Sequence, residues 1–213
     1  MHIATKIIIF ITMKPSVLAL FRKFSKKDLV KPAATKFAYA FIMLSNLLDE
    51  CVYNGLRSLM VCREYMRKIV TKSQKEEELS AIVLSPFFWR NVKEIVILCT
   101  LILKFFRLTD REGATMGLIY ELTDRMIEKI SSLYCIDSTR LEEVKNSGIE
   151  RWDTLHSPLY VASYVLHGIW REKSPQMDTE VYYGWMDVLE RHTHSDVEKQ
   201  GQLCDELDVF QSI

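Results

Sequence analysis

Ser85-Pro86-Phe87-Phe88-Trp89-Arg90-Asn91-Val92-Lys93-Glu94-Ile95-Val96-Ile97-Leu98-Cys99-Thr100-Leu101-Ile102-Leu103-Lys104-Phe105-Phe106-Arg107-Leu108-Thr109 is the stretch on which the fold turns. Serine followed by proline is a helix start: the hydroxyl caps a free amide, and proline lacks only an amide that the first turn leaves unpaired anyway. Val92, Ile95, Val96, Cys99, Ile102, Leu103 and Phe106 then recur at spacings of three and four, the period of a helix and not of a strand. With few polar interruptions, this helix is expected to be central and buried on most sides.

The same punctuation recurs on either side. Pro15 starts a short helix to about Phe24, and Ser25 to Pro32 reads as a charged connector. A helix from about Ala34 to Tyr53 is expected to bend at Asn54-Gly55, a common breaker pair. Leu56 to Val70 follows, then a solvated link over Thr71 to Glu78. Downstream, Thr115 to Tyr134 is one helix, and another starts at Asp137 or Ser138 and ends near Leu155. Ser157-Pro158 repeats the cap-plus-proline start, Gly168 to Met177 is a loop, Asp178 caps a helix to about His192, and Ser195 to Glu198 forms a capping box for the last helix. Period-two alternation is absent except in the run Ile7 to Ile11, read as a truncated helix or a strand edge. The fold class is therefore all-α, an irregular globular helical array without a fixed-length repeat.

Net charge is zero, which argues against nucleic-acid binding through overall charge. The distribution is uneven. Lys14, Arg22, Lys23, Lys26, Lys27, Lys31 and Lys36 face only Asp28 in the N-terminal stretch, whereas the C-terminal part leans acidic. Residues 1–30 are accordingly read as a basic segment with a short helix, and 31–213 as the helical domain. Five dispersed cysteines without a Cys-x-x-Cys pair fit a reducing compartment, nucleus or cytoplasm, and mostly buried thiols. Met1 to Met13 has too short an apolar run for a signal peptide, and no stretch offers the roughly 18 apolar residues of a membrane span.

Lys31-Pro32-Ala33-Ala34-Thr35-Lys36-Phe37 is the strongest binding candidate. Free amides of a first helical turn, two lysines and Thr35 suit a phosphate, and Phe37 offers a face on which a base can stack. Phe37, Phe41, Leu44 and Leu48 also share helical spacing, so the ring could equally face a core. This block resembles the "RPAVTRFATNF"-type segment of plant transposases of the hAT superfamily (the hobo/Activator/Tam3 group). Further blocks follow in family order: Lys6 to Phe24, Phe88-Trp89 with Lys104 to Asp110, Met116 to Arg125, and Arg151 to Leu166, which is similar to "RWDxQLHxPLHAAAYFLNP".

The resemblance implies the all-helical insertion of a ribonuclease-H-like transposase, without the catalytic sheet. It places the catalytic acids, two aspartates before and a glutamate after, outside this chain, so no catalytic residue and no enzyme activity are expected. It places a DNA-proximal element at Thr35, Lys36 and Phe37; Lys31 beside it, and Arg151 with Trp152 as a stacking platform, complete the DNA-binding candidates. Lys36 replaces the family's arginine and loses its planar fork, and Leu166-His167-Gly168 replaces Leu-Asn-Pro. The expected whole is a catalytically incomplete transposase-derived fragment that retains nucleic-acid binding. The alternative is a helical protein-interaction module, with a protein partner or self-association through exposed apolar surface.

Other chemistry finds little support. Asp110, Asp124 and Asp153 match family-like positions, but each lies at a helix end or on a helix that the resemblance places outside the triad of two-metal phosphoryl chemistry, and they read as capping or ion-pairing residues. His156, His192 and His194 lack the further ligands a metal needs. No phosphate loop and no Gly-x-Ser-x-Gly element is present. No metal, cofactor, small-molecule substrate or membrane is expected. Trp89 reads as core, Trp152 as a packing anchor or a stacking platform, and Trp170 and Trp185 as partly exposed or packed beneath the loop between them.

Overall fold

The structure is a computed structural model that describes residues 2–31, 37–69, 74–112, 115–134, 136–168 and 179–212. Every regular element among them is a helix. The chain divides into two compact units, Met1–Thr100 and Leu101–Ile213.

The first unit opens with α1 (His2–Met13), which settles the isoleucine run as a helix. Its buried residues Ala4, Ile7, Ile8 and Ile11 fall on one helical stripe, a pattern no strand could bury on one face. α2 (Pro15–Phe24) follows after a bend of 102° and buries Val17, Leu20 and Phe21. Residues 1–30 thus hold two helices, and both contribute to the core of the first unit. The connector after α2 is tied down by Asn46, whose side chain donates to Asp28 O at 3.2 Å and accepts from Val30 N at 3.0 Å.

α3 (Phe37–Leu47) and α4 (Glu50–Val61) replace the single helix expected to end in a bend at Asn54-Gly55; the expected start near Ala34 lies outside the described residues. The break sits at Leu48-Asp49 because Asp49 caps α4. One carboxylate oxygen accepts from Cys51 N at 3.1 Å and the other from Lys27 Nζ at 2.5 Å. Gly55 is instead an interior helix residue chosen for closeness: a Cβ there would lie 2.7 Å from Ser25 Cβ and 3.2 Å from a Phe21 ring carbon. Beyond α4 come α5 (Arg63–Ile69) and α6 (Gln74–Leu84), so Gln74 to Glu78 of the expected link over Thr71 to Glu78 is helical, and the rest of it lies outside the described residues. Tyr65 is wholly buried and its hydroxyl lies 2.9 Å from Ser80 Oγ. Ser80 donates its own proton to Glu76 O, so the tyrosine is the donor in that pair.

α7 (Pro86–Thr109) starts where Ser85-Pro86 predicts. Trp89 is buried as expected; its indole N–H donates to Val83 O at 2.7 Å and Tyr53 meets it edge-on. The expectation that α7 is buried on most sides fails. Only Trp89, Val92, Glu94 and Leu98 are buried, and Phe106 is 52% exposed. The boundary between the units falls within this helix, so no single core surrounds it.

The second unit contains α8 (Met116–Ser131), α9 (Ser138–Leu155), α10 (Pro158–Val165), α11 (Thr179–Thr193) and α12 (Val197–Ser212). Asp137 caps α9 and Ser157 caps α10, both as the sequence predicts. α8, α10 and α11 enclose Tyr120, Val161, Tyr164, Val165, Val181, Trp185 and Leu189, with Leu207 from α12. Gly117 lets α8 and α10 touch: a Cβ there would stand 2.5 Å from Ser163 O. Trp185 is buried, not partly exposed, and its indole N–H has no hydrogen-bond partner among the described residues. Trp170, Asp178 and nearly all of the loop read over Gly168 to Met177 lie outside the described residues. The expected cap at Ser195 moves by one residue. His194 and Ser195 take left-handed backbone angles (φ 53° and 65°), and Asp196 accepts from Lys199 N at 3.2 Å. That contact and the Lys199 ammonium hold the Asp196 carboxyl below the usual carboxylate range.

Candidate functional site

The basic N-terminal stretch is largely neutralised by its own unit. Lys14 pairs with Glu76, Arg22 grips Asp28 through two contacts at 2.8 and 3.1 Å, Lys23 meets Glu64 at 3.2 Å and Lys27 meets Asp49 at 2.5 Å. The Arg22 guanidinium holds Asp28 below the usual carboxylate range, and Lys27 does the same to Asp49. These pairs are exposed and individually weak, but each occupies a cation that a phosphate would need. Lys26 and Lys31 are exposed and make no ion pair among the described residues. Thr35 and Lys36 lie outside the described residues. Phe37 opens α3.

The other two sequence-chosen residues, Arg151 and Trp152, lie far along the chain on α9 in the second unit. Trp152 is half-buried in an aromatic cluster: Tyr120 at 5.8 Å, His156 at 4.9 Å and Tyr160 at 6.1 Å between ring centroids. The packing-anchor reading describes this environment. Arg151 is exposed and without an ion pair among the described residues.

Both residues line an apolar groove of about 780 Å³. α7 supplies Ile102, Phe105, Phe106 and Thr109 as one wall. α8 supplies Ile119, Thr123, Met126 and Ile130. The other wall is the α9 stripe Glu143, Val144, Ser147, Gly148, Arg151, Trp152 and Leu155, with Tyr160 beyond it. Along α9 the stripe runs about 18 Å at 1.5 Å per residue. Its volume falls within the range of small-molecule and peptide clefts.

The polar residues in these walls offer less than their names suggest. Thr123 donates to Ile119 O at 2.7 Å, Ser147 to Glu143 O at 2.9 Å, and Thr109 to Phe106 O at 3.1 Å. Each hydroxyl proton is used on its own helix, so an occupant meets mainly methyl, methylene and ring surface. Arg151, the Glu143 carboxylate, the Tyr160 hydroxyl and the Trp152 indole N–H are lining groups with no hydrogen bond or ion pair among the described residues. Sequence reasoning singled out Arg151 and Trp152 but not the α7 and α8 walls, whose apolar residues read as ordinary core.

Among the described residues no three His, Cys, Asp or Glu side chains converge as metal ligands. Asp110, Asp124 and Asp153 are exposed. Cys51, Cys62, Cys99 and Cys204 are free and half-buried, and burial pushes the Cys99 thiol up. Among the described residues no single helix is long and apolar enough to cross a membrane; α1 and α2 reach that length and composition only together, as a bent pair. Comparison with protein-family models, with curated proteins and with solved structures gives no match.

Proposed function

We propose that the chain is a catalytically incomplete helical module of hAT-transposase descent that works by non-covalent binding, with the groove of the second unit as its principal surface. The descent rests on the ordered sequence blocks. The binding role rests on one observation: an open cleft walled by three helices, whose hydroxyls are turned into their own backbones, leaves apolar area exposed to water among the described residues. This favours the protein-interaction reading over a surface that grips phosphates.

The test is titration of folded protein with the apolar fluorophore 1-anilinonaphthalene-8-sulfonate. Saturable binding is expected, weakened about tenfold by Phe106→Asp, as loss of one aromatic contact plus a buried charge demands. Binding that Phe106→Asp leaves unchanged, with helical content intact, removes the groove from the proposal.

Nucleic-acid contact is the second reading, favoured by the exposed Lys26 and Lys31, which make no ion pair among the described residues. Two phosphate contacts give a log–log salt slope of about −2, against about −6 if all seven N-terminal cations engaged. A slope near −6, reduced to about −4.5 in Lys26→Ala/Lys31→Ala, would restore the phosphate surface to first place.

A further inference from the structure

Resting on the groove as a binding surface, we infer that its occupant is a second copy of this chain, packed antiparallel along α9 about a two-fold axis at Ser147-Gly148. α9 is 18 residues long, yet none of them is buried. Ile149 and Leu155 are exposed, and at Gly148 a Cβ would meet nothing within 4 Å. A helix of this length gains its stability from packing an apolar face, and here Trp152 and Val144 on the groove stripe are only half-buried while Leu155 at its end stands exposed, so the face is incompletely covered.

The charges on the stripe select the occupant. Glu143 and Arg151 carry no ion pair among the described residues and stand eight residues apart, about 12 Å along the axis. A single-headed amphiphile could pair with Arg151, but its tail would then lie beside the Glu143 carboxylate. The groove asks for a rod with an acid opposite Arg151 and a base opposite Glu143 at the same separation. α9 read in reverse is such a rod. Ser147 is the midpoint of the two charges, so a two-fold axis there sets Glu143 of each copy against Arg151 of the other. The small residues Ser147 and Gly148 occupy the crossing, where close approach of helix axes needs little side-chain bulk. The result is an isologous interface, in which one residue meets its complement twice.

Sedimentation equilibrium over a concentration series tests this on the full chain. Wild type is expected to show a reversible monomer–dimer equilibrium. Glu143→Arg and Arg151→Glu are each expected to raise the dimer dissociation constant about tenfold or more, since like charges then face each other. The two single variants mixed together are expected to form a heterodimer, because one brings two cations and the other two anions. The double exchange E143R/R151E is expected to restore self-association. Both charges lie on exposed side chains, so folding is not at stake. A monomer at every concentration, or variants that neither weaken alone nor rescue when mixed, overturns the two-fold α9 pairing. If fluorophore binding and its loss in Phe106→Asp persist in that case, the groove reading stands and only the second copy is lost.

Discussion

The two units solve the same problem, burying apolar helix faces, to different degrees of completion. The first fills its interior with wholly buried aliphatic and aromatic side chains such as Ile8, Phe21, Leu56, Leu59 and Tyr65. It also ties four of its N-terminal cations to acids, of which Glu64 and Glu76 arrive on later helices. The second draws α8 and α10 together at Gly117 around an aromatic centre, then leaves Ile102, Phe105, Phe106 and the α9 stripe lining an open groove. The first unit has an open cleft too, about 440 Å³ beside Met60, Val61, Met66 and Leu84, but the groove of about 780 Å³ in the second is the more extended surface, and binding is to be sought there first.

The sharpest way to break this contrast is paired truncation. Phe21→Ala is expected to remove about 3–5 kcal/mol of unfolding free energy, whereas Phe106→Ala, already half in water, should cost under about 1 kcal/mol. Urea denaturation followed by circular dichroism measures both; equal losses would mean that the groove wall is core after all. Gly117→Ala comes next, at about 1–3 kcal/mol, because the added carbon meets a backbone oxygen that moves only with α10. Gly148→Ala should act oppositely. Within one chain its carbon enters open space on an exposed helix, so thermal unfolding at concentrations where the chain is monomeric should show a gain of up to about 1 kcal/mol.

The smallest expected effect is electrostatic. Asp28 and Asp49 have folded-state pKa values held below normal by Arg22 and Lys27, so their contribution is present above the ordinary carboxylate range of about 4. It is lost as pH falls through the lowered values. Denaturation midpoints taken stepwise into acid should drop for wild type and drop less for Asp49→Ala, which also starts lower for want of its cap. An Asp49→Ala protein as acid-sensitive as wild type would place the titrating groups elsewhere.

Much of the all-α architecture was legible because its signals are local. Ser85-Pro86, Asp137 and Ser157-Pro158 act within one turn, and their helices begin where those residues stand. Errors arose where distant residues decide. Asn54-Gly55 carries a breaker's signature, yet Gly55 serves α2 from inside α4, and the real break belongs to Asp49 with help from Lys27. The basic stretch looked like a phosphate surface because its partners, Glu64 and Glu76 among them, lie 41 and 62 residues away from Lys23 and Lys14. Charge density along a chain is not charge density in space. Of the site, Arg151 and Trp152 could be singled out, but the groove between α7, α8 and α9 depends on helices failing to close, which no periodicity encodes.

The inward-turned hydroxyls of Thr109, Thr123 and Ser147 bear on how such a protein can drift. Exchange of any of them for valine or alanine changes the written polarity of the wall while an incoming surface still meets carbon. Lineages could diverge freely at Thr109 and Thr123 and keep the same docking face, whereas Ser147 must stay small at the crossing and Glu143 and Arg151 must keep step across two chains at once, so that a change in one charge is tolerated only with its opposite in the other.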